Sequence, residues 1–205
     1  MPKYRADLRD INFNLFDVLQ IQRLPQFGLA ENDYRGILDE YVKFVDNEVF
    51  PTRESSDVHG VKHIDGKVKV APELHALNKA FYANGWFALG LPAEIEGTPV
   101  PEAMNTACMS LATGANCAWT MYYGLTRSAM NVIRLKGDDF MKTNIIPKMM
   151  AGEWGGTMCL TEAGAGSDVG ALKSTAKPIA DGKWAIKGTK IFISSGESDL
   201  YSNNI

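Results

Sequence analysis

The sequence predicts an α + β protein: an N-terminal all-α helical bundle over residues 1–152, then the beginning of a β-domain over 153–205. Two observations carry that prediction. Up to Gly152 the chain is rich in Leu, Met and Ala at helical spacing. From Glu153 onward the segments shorten, glycine punctuates them, and Thr, Ser and Ile take over.

Residues 1–30 read as an N-terminal extension. Its apolar positions Leu8, Ile11, Leu15, Val18 and Leu19 share one helical face, Asp7 or Asp10 caps the start, and Pro25 and Gly28 follow the end. A second helix carries Tyr34, Ile37, Leu38, Tyr41, Val42, Val45 and Val49, with Asn32 or Asp33 as its cap and Pro51 closing it. Residues 52–71 read either as a small hairpin about Asp65-Gly66 or as an ordered loop. Asp-Gly suits a two-residue hairpin turn because both central positions need positive φ. Pro72 opens a helix with Leu74, Leu77 and Phe81 inward and Gly85 at its end. Pro101 opens another, through Met104, Cys108 and Leu111.

The most apolar helix runs from about Ala115 to Lys136, and Gly137 ends it. Its stripe Met121, Leu125, Ser128 and Val132 reads as core. Asp138 caps a further helix through Phe140, Met141 and Ile145, which Pro147 breaks or restarts. Met130, Met141, Met149 and Met150 read as packing material. Beyond Glu153, Trp154 to Thr161 reads as a buried strand. Lys173–Ile179 and Lys183–Lys187 read as a hairpin about Asp181-Gly182, and Lys190–Ser195 as one more strand. Residues 199–205 approach another strand. So few strands leave open edges, and the chain is expected to be the front part of a longer protein.

Composition narrows the function. Lys and Arg number 21 against 24 Asp and Glu, a net charge of −3, which lacks the basic surplus of a nucleic-acid binder. No stretch approaches ~18 uninterrupted apolar residues, so no membrane span is expected. The charged opening has no apolar segment behind it, so no secretory signal is expected. Cys108, Cys117 and Cys159 are odd in number and contain no Cys-x-x-Cys pair, which suits buried reduced thiols and a cytoplasmic location.

The segment Cys159-Leu-Thr-Glu-Ala-Gly-Ala-Gly-Ser-Asp168 carries the densest chemistry. A strand ends in a hydroxyl and a carboxylate, Thr161 and Glu162, and a glycine-rich turn follows. Successive N–H groups in such a turn converge on an anion such as phosphate; the same residues also suit an ordinary turn with Asp168 capping the next element. Gly164, Gly166 and Gly170 do not make a dinucleotide-binding βαβ unit. No amphipathic helix follows them, and no acidic strand end lies about 20 residues on.

Met158 to Asp168, followed by Gly188-Thr-Lys-Ile-Phe-Ile-Ser-Ser-Gly196, resembles the paired flavin-site signatures of the acyl-CoA dehydrogenases, spacing included. Tyr4-Arg-Ala-Asp-Leu-Arg-Asp10 and Phe13-Asn-Leu-Phe-Asp-Val-Leu19 resemble the larger bacterial members, among them long-chain and 3-methylthiopropionyl-CoA dehydrogenases. The resemblance implies an N-terminal helical domain, a middle β-domain and a C-terminal four-helix domain, with this chain supplying the first and the start of the second.

It also implies FAD as cofactor, an acyl-CoA thioester as substrate, a trans-2-enoyl-CoA as product, and an electron-transfer flavoprotein as acceptor. Relatives are homodimers or tetramers, so a homo-oligomer is expected. Cofactor-binding positions are implied at Met158, Leu160, Thr161, Gly166, Ser167, Phe192, Ile193 and Ser194. Leu160 and Thr161 would face the pyrimidine side of the flavin, Ser194 its N5, and Gly166 and Ser167 the phosphates, with Ser167 also reaching the thioester arm. Phe192 stands where many relatives have Trp, and Ala163 where many have Pro.

The family's catalytic base is a glutamate of the C-terminal domain, so no catalytic residue is expected here, and the chain alone is expected to be inactive. Glu162 is read as holding the glycine turn rather than as that base. Met121, Gly124, Leu125 and Ser128 have a second reading, as the wall of an acyl-chain tunnel. His59 and His63 are four apart, but Gly60 between them argues against a metal site. Two alternatives stand beside the dehydrogenase: a flavin acyl-CoA oxidase on the same fold, and a non-catalytic helical module that self-associates through open sheet edges.

Overall fold

A computed structural model describes Tyr4 and residues 6–205. Arg5 of the opening motif and residues 1–3 of the expected extension lie outside the described residues. Helix α1 (Leu8–Asn12) starts where Asp7 accepts the Asp10 amide at 3.1 Å. It widens into a broader-turned helix over Phe13–Val18, closed by Leu19 N–H donating to Asn14 O. Only Leu15 and Phe16 of that segment are buried, while Val18 and Leu19 face solvent, because the wider turn rotates the expected face away.

Helix α2 (Glu31–Phe44) begins slightly before its expected caps: Asp33 sits inside the first turn and accepts the Ala30 amide at 2.8 Å. Pro51 does not end the helical run. It sits in a 3-10 turn, Phe50–Thr52, that leads straight into α3 (Arg53–His59), a polar helix that apolar spacing does not reveal. Strands β1 (Lys62–Ile64) and β2 (Lys67–Lys69) then form the small hairpin, with Asp65 at φ 51° and Gly66 at φ 75°.

The helical core follows. Helix α4 (Glu73–Ala83) brings in Leu74, Leu77 and Phe81; α5 (Glu102–Ala115) brings in Met104, Cys108 and Leu111. Helix α6 (Cys117–Lys136) starts at Asn116, whose Oδ1 accepts the Trp119 amide at 3.1 Å. The Asn116 Nδ2 donates to Thr52 Oγ1 at 2.9 Å and Ser56 Oγ at 3.2 Å, fastening α3 to the α5–α6 junction. Phe81 is the hub, with ring centroids 5.0 Å from Trp119 and 4.5 Å from Tyr123. Each such aromatic removes roughly 150–250 Å² from water, which is why this face of α6 carries the core.

That face is Trp119, Tyr123, Thr126, Met130 and Ile133. The expected core stripe is the opposite one: Met121, Ser128 and Val132 are exposed and Leu125 is half-buried. Arg127 reaches inward beside them, donating to Phe87 O at 3.2 Å and bracing the loop after α4. Asp138 caps α7 (Asp139–Asn144), and Pro147 sits in the first turn of α8 (Ile146–Met150). Met130 and Met149 are buried, whereas Met141 is exposed. Cys108 is buried and its thiol is pushed up to about 12 by burial; Cys117 and Cys159 are exposed rather than buried, and all three are free. Among the described residues no helix is long and apolar enough to cross a membrane.

After α8 the sheet content is sparse. Strand β3 (Trp154–Gly155) pairs in parallel with β6 (Asn203–Asn204). Strands β4 (Thr175–Pro178) and β5 (Trp184–Lys187) form the second hairpin, turning at Asp181 (φ 58°) and Gly182 (φ 72°). Two strand expectations fail. Residues 156–161 form no strand beyond Gly155: Gly156 is buried, Thr157 and Thr161 are half-buried, and Met158, Cys159 and Leu160 are exposed. Residues 190–195 form no strand because Phe192 (φ 54°) and Ser195 (φ 57°) turn left-handed, which interrupts a ladder.

Candidate functional site

Two arms, 156–168 and 188–196, lie side by side although neither is a strand. The first is anchored at its base. Thr126, fully buried in α6, accepts the Gly156 amide on Oγ1 at 3.1 Å. A Cβ on Gly156 would stand 2.7 Å from Ala129 Cβ and 2.9 Å from Met149 Cε, so glycine lets the arm press onto α6 and α8. Thr157 N–H donates to Ile205 O at 2.9 Å, extending the β3–β6 pairing by one bond.

Four contacts join the arms. Thr157 Oγ1 donates to Ser194 O at 2.6 Å, Ile191 N–H donates to Thr161 O at 3.0 Å, and Lys190 Nζ donates to Leu160 O at 2.9 Å and to Glu162 Oε1 at 2.8 Å. The arms therefore present one open surface. Met158, Leu160 and Ser194 are exposed on it, Thr161 and Ile193 are half-buried, and Phe192 is 89% exposed. A bulky residue held at positive φ costs about 1–3 kcal/mol, and here that strain holds an aromatic ring out in solvent.

Glu162 lies under the surface. Its carboxylate accepts the Lys173 amide at 2.7 Å, the Ser174 amide at 3.0 Å and the Lys190 ammonium at 2.8 Å. These donors, Lys190 first, hold its carboxyl down to about 2. A general base works best with a pKa near the operating pH, so Glu162 is a clamp and not a proton acceptor. Its own backbone closes a tight turn, exchanging hydrogen bonds with Ala165 at 3.0 and 3.1 Å. Asp168 precedes a 3-10 turn without capping it through its side chain.

On that turn Gly166 and Ser167 are exposed and make no hydrogen bond to either arm. Gly164 and Gly166 have no positive φ, and a Cβ on either would meet nothing within 4 Å. Nothing inside the chain demands glycine there, whereas close approach of a ligand to bare backbone would. Gly188 differs, because its added Cβ would run into Ser174. The open turn, the exposed apolar Met158, Leu160 and Phe192, and the free Thr161 N–H are the groups of the two arms that could meet a ligand. Among the described residues no group of three or more His, Cys, Asp or Glu is placed to hold a metal ion.

Sequence reasoning missed the supports. Lys190 sits inside the second motif, opposite a carboxylate in the first, and that charge pairing was the available signal. Thr126 gives none, since a mid-helix threonine is unremarkable in sequence. A second clamp was also missed: Asp199 accepts the Val70 amide at 3.0 Å and pairs with His75 at 3.3 Å and Lys69 at 3.4 Å, tying the segment after the second arm to the first hairpin.

Comparison with known proteins agrees with this layout. The acyl-CoA dehydrogenase N-terminal domain profile matches residues 31–153, and the acyl-CoA dehydrogenase middle domain profile matches residues 157–202. The chain is 33% identical over 204 residues to a 3-methylmercaptopropionyl-CoA dehydrogenase of Ruegeria pomeroyi, covering 98% of this chain and 35% of that protein. It is 33% identical over 213 residues to a butyryl-CoA dehydrogenase of Syntrophomonas wolfei, covering 98% and 34%. A solved acyl-CoA dehydrogenase complexed with FAD from Bacillus anthracis shares the fold at a TM-score of 0.64 and 22% identity, over 80% of this chain and 26% of that one. The chain thus spans about a third of the length of the curated relatives it matches. With the helical domain and both arms matched in chain order, the chain belongs to the acyl-CoA dehydrogenase family.

Proposed function

We propose that residues 153–205 are the start of a flavin-binding middle domain, resting on an N-terminal domain of residues 1–152, in an FAD-dependent acyl-CoA dehydrogenase. The observation that carries this reading is the joining of the two arms by Thr157, Lys190 and Ile191 into one exposed apolar surface beside an unfilled glycine turn. Leu160 and Thr161 would offer backbone and hydroxyl donors to the pyrimidine side of the ring. Ser194 would lie toward N5, with Met158, Phe192 and Ile193 packing on the ring. Gly166 and Ser167 would hold the phosphates, and Ser167 the thioester arm.

FAD, when bound, supplies the acceptor for the hydride that leaves the β-carbon of the acyl thioester. The chain's part is to orient the ring and to set fixed donors where negative charge gathers, which costs no reorganisation during reaction. Glu162, held by the Lys173 and Ser174 amides and the Lys190 ammonium, would not be the acceptor of the α-proton. The product would be the trans-2-enoyl-CoA, an electron-transfer flavoprotein the electron acceptor, and a cytoplasmic homo-oligomer the working form.

The test is the visible spectrum of the purified chain after incubation with FAD and desalting. A retained flavin band is expected; a colourless chain would sink the assignment of these arms to flavin. In the loaded protein, slow reaction of the reduced flavin with oxygen separates a dehydrogenase from an acyl-CoA oxidase.

A further inference from the structure

Lys190, in the second arm, makes two side-chain contacts with the first. Its ammonium is 2.9 Å from Leu160 O and 2.8 Å from Glu162 Oε1, and its side chain is 23% exposed. Glu162 cannot follow it into solvent, because two backbone amides also hold that carboxylate. The cation is therefore fixed against one particular carbonyl.

That carbonyl belongs to the peptide group whose other end is the Thr161 N–H, and this N–H donates to no protein acceptor among the described residues. A peptide group conjugates its two ends. A cation on the oxygen draws electron density from the nitrogen and makes the N–H a stronger donor. The neighbouring peptide lacks this feature, since Thr161 O is met only by the neutral Ile191 amide.

We propose that Lys190 is a positioning residue for the flavin, polarising the Leu160–Thr161 peptide so that the free Thr161 N–H binds the more negative, reduced ring more tightly than the oxidised one. This rests on the reading of the arms as a flavin surface. It adds that the second motif tunes the first through a half-buried charge rather than only by its own contacts with the ring.

The test uses FAD-loaded wild type, Lys190→Met, Lys190→Gln and Lys190→Arg, each equilibrated with a reference redox dye. The Lys190→Met protein should show a redox equilibrium shifted on the order of tenfold toward the oxidised flavin, about 30 mV for a two-electron couple. Lys190→Arg should restore it to within about twofold, since it keeps a cation at the carbonyl. Where Lys190→Met does not fold, Lys190→Gln, which keeps a neutral donor, makes the same comparison.

A parallel measurement needs no flavin: the carbon-13 resonance of the Leu160 carbonyl should move in the Met and Gln variants and hold in the Arg variant. A moved Leu160 resonance with an unshifted flavin equilibrium overturns the proposal, as does an unmoved resonance. A wild type that takes up no FAD is a different result, which removes the flavin reading itself and the proposal with it.

Discussion

The Thr126 hydroxyl and the Gly156 amide meet at 3.1 Å inside the protein, where the same hydroxyl donates to Tyr122 O at 2.8 Å. One side chain of the helical region thereby sets where the first arm departs. Replacing Thr126 by Val keeps the shape and strands a buried N–H, at a cost of roughly 1–3 kcal/mol. Thr126→Ser keeps the hydroxyl and should lose about 1 kcal/mol for the methyl. Urea unfolding of the two variants checks the order, and equal losses would contradict the role given to the hydroxyl.

Glu162 makes stability depend on acidity. Its carboxyl lies at about 2 in the folded chain against an ordinary 4.5, with the Lys190 ammonium as the leading cause. A depressed folded value means the stabilisation is present above the ordinary pKa and is lost as pH falls through the folded one. The gap in urea midpoint between wild type and Glu162→Gln should thus be full near about pH 7 and narrow steadily below about pH 4.5. A gap that stays constant down to about pH 3 would show that the charge is not what the clamp uses.

Asp199 clamps the first hairpin through the Val70 amide, His75 and Lys69. Burial alone would raise its carboxyl, yet the Val70 amide, His75 and Lys69 outweigh that and lower it. In Asp199→Ala the Val70 amide loses an ionised acceptor worth about 1.5 kcal/mol, so its hydrogen exchange should quicken on the order of tenfold. The Phe81 amide, inside α4, should not change.

Gly166 separates fold from ligand. A Cβ there meets nothing within 4 Å and the backbone has no positive φ. Gly166→Ala should therefore leave the urea midpoint unchanged or slightly raised, by up to about 1 kcal/mol. FAD retention should fall several-fold. Undiminished retention would place the anionic tail elsewhere.

What the sequence reveals is what is locally determined. Asp65-Gly66 and Asp181-Gly182 fix their hairpins because the turn geometry lives in the two residues themselves. Pro72, Pro101, Asp138 and Gly137 mark helix ends for equally local reasons. The long helix defeats periodicity, because Met121, Leu125 and Val132 make as regular a stripe as Trp119, Tyr123 and Met130. Only packing against Phe81 decides between them. Likewise Ile191 and Ile193 alternate as a strand would, and the left-handed Phe192 ends that pattern without any glycine to announce it. The motif residues of both arms were legible, but the Lys190 and Glu162 contacts that join them depend on bringing together positions 28 residues apart.

The short parallel pairing of Trp154 with Asn203 and Gly155 with Asn204 has a kinetic consequence. Those residues are brought together only after the chain between them has closed a loop, an entropic cost that local helices and hairpins do not meet. The helical region and both hairpins are free to form early, while the clasp forms late and opens first. Because both arms hang from it, they should exchange with solvent as a single cooperative unit. Losing the clasp would then dismantle the whole surface formed by the arms at once and leave the aromatic core behind it standing.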